Sequence, residues 1–152
     1  MKHFQPYELV DKETYSQKGD SCLDLFTPRV LTAMDNVWDF FFQRHGECKI
    51  TINDWYWGGQ FQWRGWRTEA EADLLLHLPP GTHPGQEQHA AGDAFDYDIK
   101  GMTAQEVRDV IVANQDDPLL VGITRLEAGT SWVHMDCKVL IAPQTRIHVF
   151  IA

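Results

Sequence analysis

Apolar positions recur along this chain with two different periods, and each period predicts a different kind of element. Between 28 and 45, Val30, Leu31, Met34, Val37, Trp38 and Phe41 follow the i, i+3, i+4, i+7 spacing of one helical face. Thr27 is a good N-cap, Pro28 suits the first helical position and Gly46 is a stop. Arg44 and His45 fall in the last turn, where cations meet the negative end of the helix dipole. Phe40 and Phe42 widen the apolar stripe, which marks a core helix. Residues 48–52 alternate with period two and are rich in β-branched side chains, which predicts a strand. A second strand is predicted over 94–99, with Ala94, Asp96 and Asp98 on one face. Residues 120–126, 132–140 and 146–151 are three further strand candidates. Thr68 with Glu71, and Thr103 with Glu106, form capping boxes that open helices over 69–77 and 104–114. In the first, Leu74, Leu75, Leu76 and Leu78 are expected to face inward; in the second, Val107, Val110 and Ile111.

Residues 1–26 are polar and broken by Pro6, Gly19 and Asp20, so they read as an extended lead-in with at most one short irregular element, from which Tyr7, Leu9, Tyr15, Leu23, Leu25 and Phe26 can each cover part of the core. Residues 55–67 hold four of the six tryptophans, and Gly58, Gly59 and Gly65 forbid a regular helix there. That loop suits the wall of a ligand cleft or the closing of a core, and its pattern alone leaves both readings open. Residues 79–88 form a Pro- and Gly-rich loop. Helices and strands are mixed without regular alternation, so the class is α+β. A single domain over 1–152 is expected, with its motif-bearing core at about 48–151.

Composition narrows the function classes. A chain of 152 residues with 43% hydrophobic and 23% charged content is long enough for one packed core. A net charge of −9 argues against a nucleic-acid partner held through phosphates. No apolar run approaches the ~20 residues of a membrane span. Residues 1–6 carry no apolar signal region, so synthesis in the cytoplasm without a signal peptide is expected. Cys22, Cys48 and Cys137 are too scattered for a disulfide framework and read as small buried thiols.

The chemistry concentrates in two stretches. Gln88-His89-Ala90-Ala91-Gly92-Asp93-Ala94-Phe95-Asp96 offers an imidazole and a carboxylate seven residues apart. Trp132-Val133-His134-Met135-Asp136 offers a second imidazole in an apolar run, with Asp136 on the same strand face. Two histidines and an aspartate make three ligands, and a catalytic zinc keeps three protein ligands and one open position. Taken alone, these residues also fit ordinary surface or core histidines. Gly92 and Ala94 are small enough to allow close backbone approach beside such a site.

The first stretch resembles the S/Q-H-x-x-G-x-A-x-D motif of the zinc D-alanyl-D-alanine carboxypeptidase and L-alanyl-D-glutamate endopeptidase family, in its short phage-type single-domain form. The second is similar to that family's W-V-H-x-D block, and Gly65-Trp66-Arg67-Thr68 to its upstream G-Y-R-S/T segment. The three matches stand in the family's order and span about 64–138. The resemblance implies the hedgehog/D,D-peptidase fold, an antiparallel sheet flanked by helices. It implies His89, Asp96 and His134 as ligands of Zn2+, and Arg67 at the mouth holding a substrate carbonyl or carboxylate. The general base is where the pattern departs. A carboxylate often stands three residues before the last histidine of the family, and Ser131 occupies that place here. In relatives with an H-x-H arrangement, Trp132 would replace the first histidine. Some relatives place a glutamate about six residues upstream, which makes Glu127 the first choice of base and Asp136 the second, with orientation of a ligand histidine as the other role open to Asp136.

The expected function is that of a zinc-dependent peptidoglycan peptidase, a metal-binding hydrolase that cleaves a stem-peptide bond. It would act on the cell wall as an endolysin, or be carried in a phage virion beside other virion proteins. The alternatives are a non-catalytic structural or binding module of the same fold, for example in a phage particle, and an intracellular metal-dependent hydrolase of another small peptide or amide.

Overall fold

The computed structural model describes residues 1–75, 77, 79, 88–139 and 146–151. Among them the chain forms an α+β architecture with a mixed five-stranded sheet and four α-helices. Helix α2 (Pro28–His45) runs as its periodicity predicts. The Thr27 hydroxyl accepts the Val30 amide, and Gly46 closes the helix at φ 73°, a left-handed conformation that favours glycine. Its inner face is Val30, Ala33, Met34, Val37, Phe40 and Phe41, all buried. Phe41 has no exposed surface. Phe41→Ala is therefore expected to cost about 3–5 kcal/mol, read as a lower urea midpoint at unchanged slope.

The strands are β1 (Ile50–Thr51), β2 (Ala94–Ile99), β3 (Arg125–Glu127), β4 (Val133–Asp136) and β5 (His148–Phe150), in spatial order β1-β2-β4-β3-β5. Pairs β1·β2, β2·β4 and β3·β4 are antiparallel, but β3·β5 is parallel. The antiparallel sheet expected from the resemblance is thus a mixed one. Strand β2 has the predicted bounds, whereas β3 is shorter than 120–126. Turns closed by the Leu120 amide on the Asp117 carbonyl and the Ile123 amide on the Leu120 carbonyl take up the earlier residues. Strand β4 stops at Asp136, whose carboxylate turns back to accept the Lys138 amide. Phe95, Tyr97, Leu126, Val133 and Met135 have no exposed surface and join α2 in one core. Residues of the opposite parity, Asp96, Glu127 and His134, line a cleft.

Residues 1–26 correct the extended lead-in. They form 3-10 turns at Pro6–Glu8 and Gly19–Leu25 around helix α1 (Lys12–Lys18). The Asp11 carboxylate accepts the Glu13 and Thr14 amides, an N-cap that the polar composition obscured. Leu9 and Phe26 join the core as expected, with Tyr15, Leu23 and Leu25 packed against it, and Val10 and Cys22 are fully buried beside them. Helix α3 (Glu69–Leu75) corrects another expectation. Ala72 and Asp73 are buried, while Leu74 and Leu75 are 63% and 40% exposed. Leu76, Leu78 and most of the 79–88 loop lie outside the described residues. Helix α4 (Ala104–Ala113) carries the predicted Thr103/Glu106 capping box and buries Val107 and Ile111; Val110 is half-buried. Cys22 and Cys137 are buried, Cys48 is half-buried, and all three are free thiols. No helix among the described residues is long and apolar enough to cross a membrane.

Candidate metal centre

Strand register builds the site. Asp96 on β2 pairs with His134 on β4, His134 pairs with Glu127 on β3, and Glu127 pairs with Phe150 on β5. Directly opposed residues share a face, with Cβ atoms about 4.5–5.5 Å apart across antiparallel pairs. The next row, two residues along, is Ala94, Asp136, Arg125 and His148. His89 reaches the first row from the turn before β2. That turn is closed by the Gly92 amide on the His89 carbonyl and the Asp93 amide on the Gln88 carbonyl. Gly92 has φ 67°, and a Cβ there would lie 1.9 Å from the Leu25 carbonyl oxygen. The close backbone approach expected at Gly92 is made against that segment. Asp93 is buried and binds Thr27 and Arg29, which ties the turn to the start of α2.

His89, Asp96 and His134 converge, are all buried, and form a group that could hold a metal ion. His89 Nε2 lies 3.2 Å from His134 Nδ1 and 3.3 Å from Asp96 Oδ1, and His134 Nδ1 lies 2.8 Å from Asp96 Oδ1. Ligands about 2.0–2.1 Å from a tetrahedral ion stand about 3.3–3.4 Å apart, so two of the three separations match and the third needs a small opening.

The outward nitrogens are already engaged. His89 Nδ1 is 2.7 Å from the Gly65 carbonyl oxygen, which can only accept, so Nδ1 carries the proton and Nε2 offers its lone pair to the site. Gly65 is itself pressed against the N-terminal segment, since a Cβ there would lie 1.8 Å from the Leu9 carbonyl oxygen. His134 Nε2 faces Asp136 Oδ2 at 3.4 Å, which leaves Nδ1 for the ion. Asp136 has no exposed surface, and the Arg125 guanidinium grips both of its oxygens at 2.6–2.9 Å. It supports His134 from behind and is not part of the cleft wall.

The cleft in front has a volume of about 720 Å³. Glu127, Arg67, Ser131 and Trp132 line it together with Asp96 and His134. Among the described residues the Glu127 carboxylate has no hydrogen-bond or ion-pair partner. Arg67 Nη1 donates to the Trp63 carbonyl at 2.8 Å and lies 3.6 Å from Asp96 Oδ2. The tryptophan-rich loop divides: Phe61 and Trp63 line the cleft, while Trp55–Trp57 forms a 3-10 turn on another face.

Proton affinities in this cluster are strongly displaced. Burial alone would raise the Asp96 carboxyl, but the charges and hydrogen bonds of His89 and His134 hold it well below the usual carboxylate range. Burial would lower His134, yet hydrogen bonds to Asp136 and Asp96 raise it to about 10. Burial would raise the Asp136 carboxyl as well, but hydrogen bonds from His134 and Arg125 hold it below its ordinary value. In metal-free protein the raised His134 stabilises the fold fully below its unfolded value near ~6.5, and that contribution is lost as pH climbs toward about 10. The lowered Asp96 and Asp136 stabilise fully above ~3.9 and lose that contribution as pH falls. Melting temperature of chelator-treated protein is therefore expected to peak between about pH 4 and 6.5 and to fall on either side; a flat profile from pH 6.5 to 10 would contradict the cluster.

Arg125 and Arg108 were missed in the sequence. Arg125 had a readable signal, since in a strand it shares the face of Glu127 two residues on. Arg108 is buried and donates to the carbonyls of Thr130 and Trp132, fixing the loop before β4; a charged residue on a helix gave no sign of this. Comparison of the chain with protein-family models, curated proteins and solved structures finds no match.

Proposed function

We propose that this protein is a zinc-dependent peptidoglycan peptidase that cleaves a stem-peptide bond, acting as an endolysin or virion-associated wall enzyme. The observation that carries the reading is the row Asp96, His134, Glu127, which sets an uncommitted carboxylate in an open cleft beside a buried two-histidine, one-aspartate group. The motif resemblance over about 64–138 supplies the substrate class.

His89, Asp96 and His134 would hold the ion, and two nitrogens with one oxygen suit zinc. Zinc, when bound, supplies Lewis acidity that acidifies water and polarises a carbonyl. Glu127 takes a proton from the attacking water and delivers it to the leaving amine. Arg67 lines the cleft wall, where its positive charge would favour a substrate carbonyl or carboxylate. Asp136 and Arg125 keep His134 in one orientation and one tautomer. Asp136, the second choice of base from sequence, takes this supporting role because Arg125 occupies its oxygens and it does not line the cleft.

Muropeptides incubated with the zinc-loaded protein are expected to gain new amino and carboxyl termini, detected by mass spectrometry. A second reading, a non-catalytic module of the same fold, draws on Ser131, which lines the cleft where the family often has a carboxylate. Zinc-loaded protein that leaves every stem peptide intact would select it.

A further inference from the structure

The part of the tryptophan-rich loop that turns away from the metal cleft presents a second surface. Residues 54–61 are pinned at their ends: the Asp54 amide donates to the Phe61 carbonyl at 3.0 Å, and the Phe61 amide donates to Asp54 Oδ1 at 2.8 Å. The Trp55 indole donates to the Val10 carbonyl at 2.7 Å, anchoring the loop to the core. On this fixed base Tyr56 and Trp57 are 55% and 61% exposed. Tyr7 stacks on Tyr56 with ring centroids 4.1 Å apart and meets Trp57 edge-on at 5.6 Å. Trp57 also forms one wall of a cavity of about 510 Å³, whose other walls include Trp38, Glu8, Thr51, Lys49 and Asp54.

Large aromatic rings held rigidly in water mark a recognition surface more than a structural need. We infer that this face is an oligosaccharide-binding site, distinct from the metal centre. A pyranose ring has C–H bonds across its faces and hydroxyls around its rim. The C–H faces match the electron-rich face of Trp57, beside which Tyr56 stands edge-on at 6.0 Å, and the hydroxyls match the mixed donors and acceptors of Thr51, Lys49, Glu8 and Asp54 that line the cavity with Trp57. A purely apolar partner would cover the Thr51 and Lys49 polar groups without pairing them. A nucleic acid would meet Glu8 and Asp54 on a chain of net charge −9.

The same loop continues through Gln60, Phe61 and Trp63 into the wall of the metal cleft. The identity of the sugar, an N-acetylhexosamine strand, rests on the peptidoglycan reading above; the site itself does not depend on catalysis.

The test titrates a β-1,4-linked N-acetylglucosamine tetramer into the full chain and follows tryptophan fluorescence and amide NMR shifts. Saturable binding is expected, with shifts at Tyr7, Tyr56, Trp57 and Thr51. Trp57→Ala and Tyr56→Ala should each weaken it by about tenfold or more. Zinc content of both variants serves as the folding control. No saturable binding, or binding that neither variant weakens, would overturn the site. So would concentration-dependent self-association that Trp57→Ala abolishes, since the face would then be an interface between copies. Tetramer binding without stem-peptide cleavage would leave the site standing and remove the peptidase; cleavage without tetramer binding would do the reverse.

Discussion

Glu127→Gln is expected to lower stem-peptide turnover by about 10²–10⁴-fold, the usual contribution of a positioned general base, while zinc content stays at its wild-type level. The two halves of that result come from one geometry. Glu127 sits directly across the β3·β4 ladder from His134, so it stands beside the candidate metal-binding group without belonging to it. Its carboxylate lines the cleft, while the ligand atoms of His89, Asp96 and His134 lie within 4.8 Å of one another. Glutamine keeps the size of the side chain and removes its ability to take a proton. Full turnover in this variant would remove Glu127 from the mechanism.

His134→Ala and Asp136→Asn should separate a ligand from its support. His134 stands in the centre of its row, between Asp96 and Glu127, and Asp136 lies behind it. His134→Ala removes one of three donors and is expected to abolish both zinc retention and cleavage. Asp136→Asn leaves all three donors but weakens the acceptor that holds His134 Nε2. Its expected effect is a loss of about 10–100-fold in zinc affinity, with cleavage recovering as zinc is raised. If Asp136 were the base, the same variant would bind zinc normally and stay inactive at every zinc concentration. Competition with a chelating indicator, run alongside the activity assay, tells these outcomes apart.

Much of this site was legible in the chain because strand alternation is a strict rule. Once β2 and β4 are placed, Asp96 and His134 must lie on the face opposite Phe95 and Met135. Helix α2 was legible for a similar reason, as cap, stop and apolar stripe all agree. Other features depended on contacts that no local pattern encodes. Arg125 binds Asp136 only because β3 pairs with β4 in one register. The four leucines of 74–78 suggested a buried face, but α3 packs through Ala72 and Asp73 and leaves Leu74 in water. The polar lead-in showed its core-facing Leu9 but concealed the Asp11-capped helix beside it. The parallel pairing of β5 with β3 has no signature in residue type.

Metal analysis of purified protein after zinc loading and removal of free metal tests most directly whether His89, Asp96 and His134 form the proposed zinc site. The expected result is about one zinc per chain in the wild type and none in His134→Ala. Fully folded wild-type protein that retains no zinc would contradict the account.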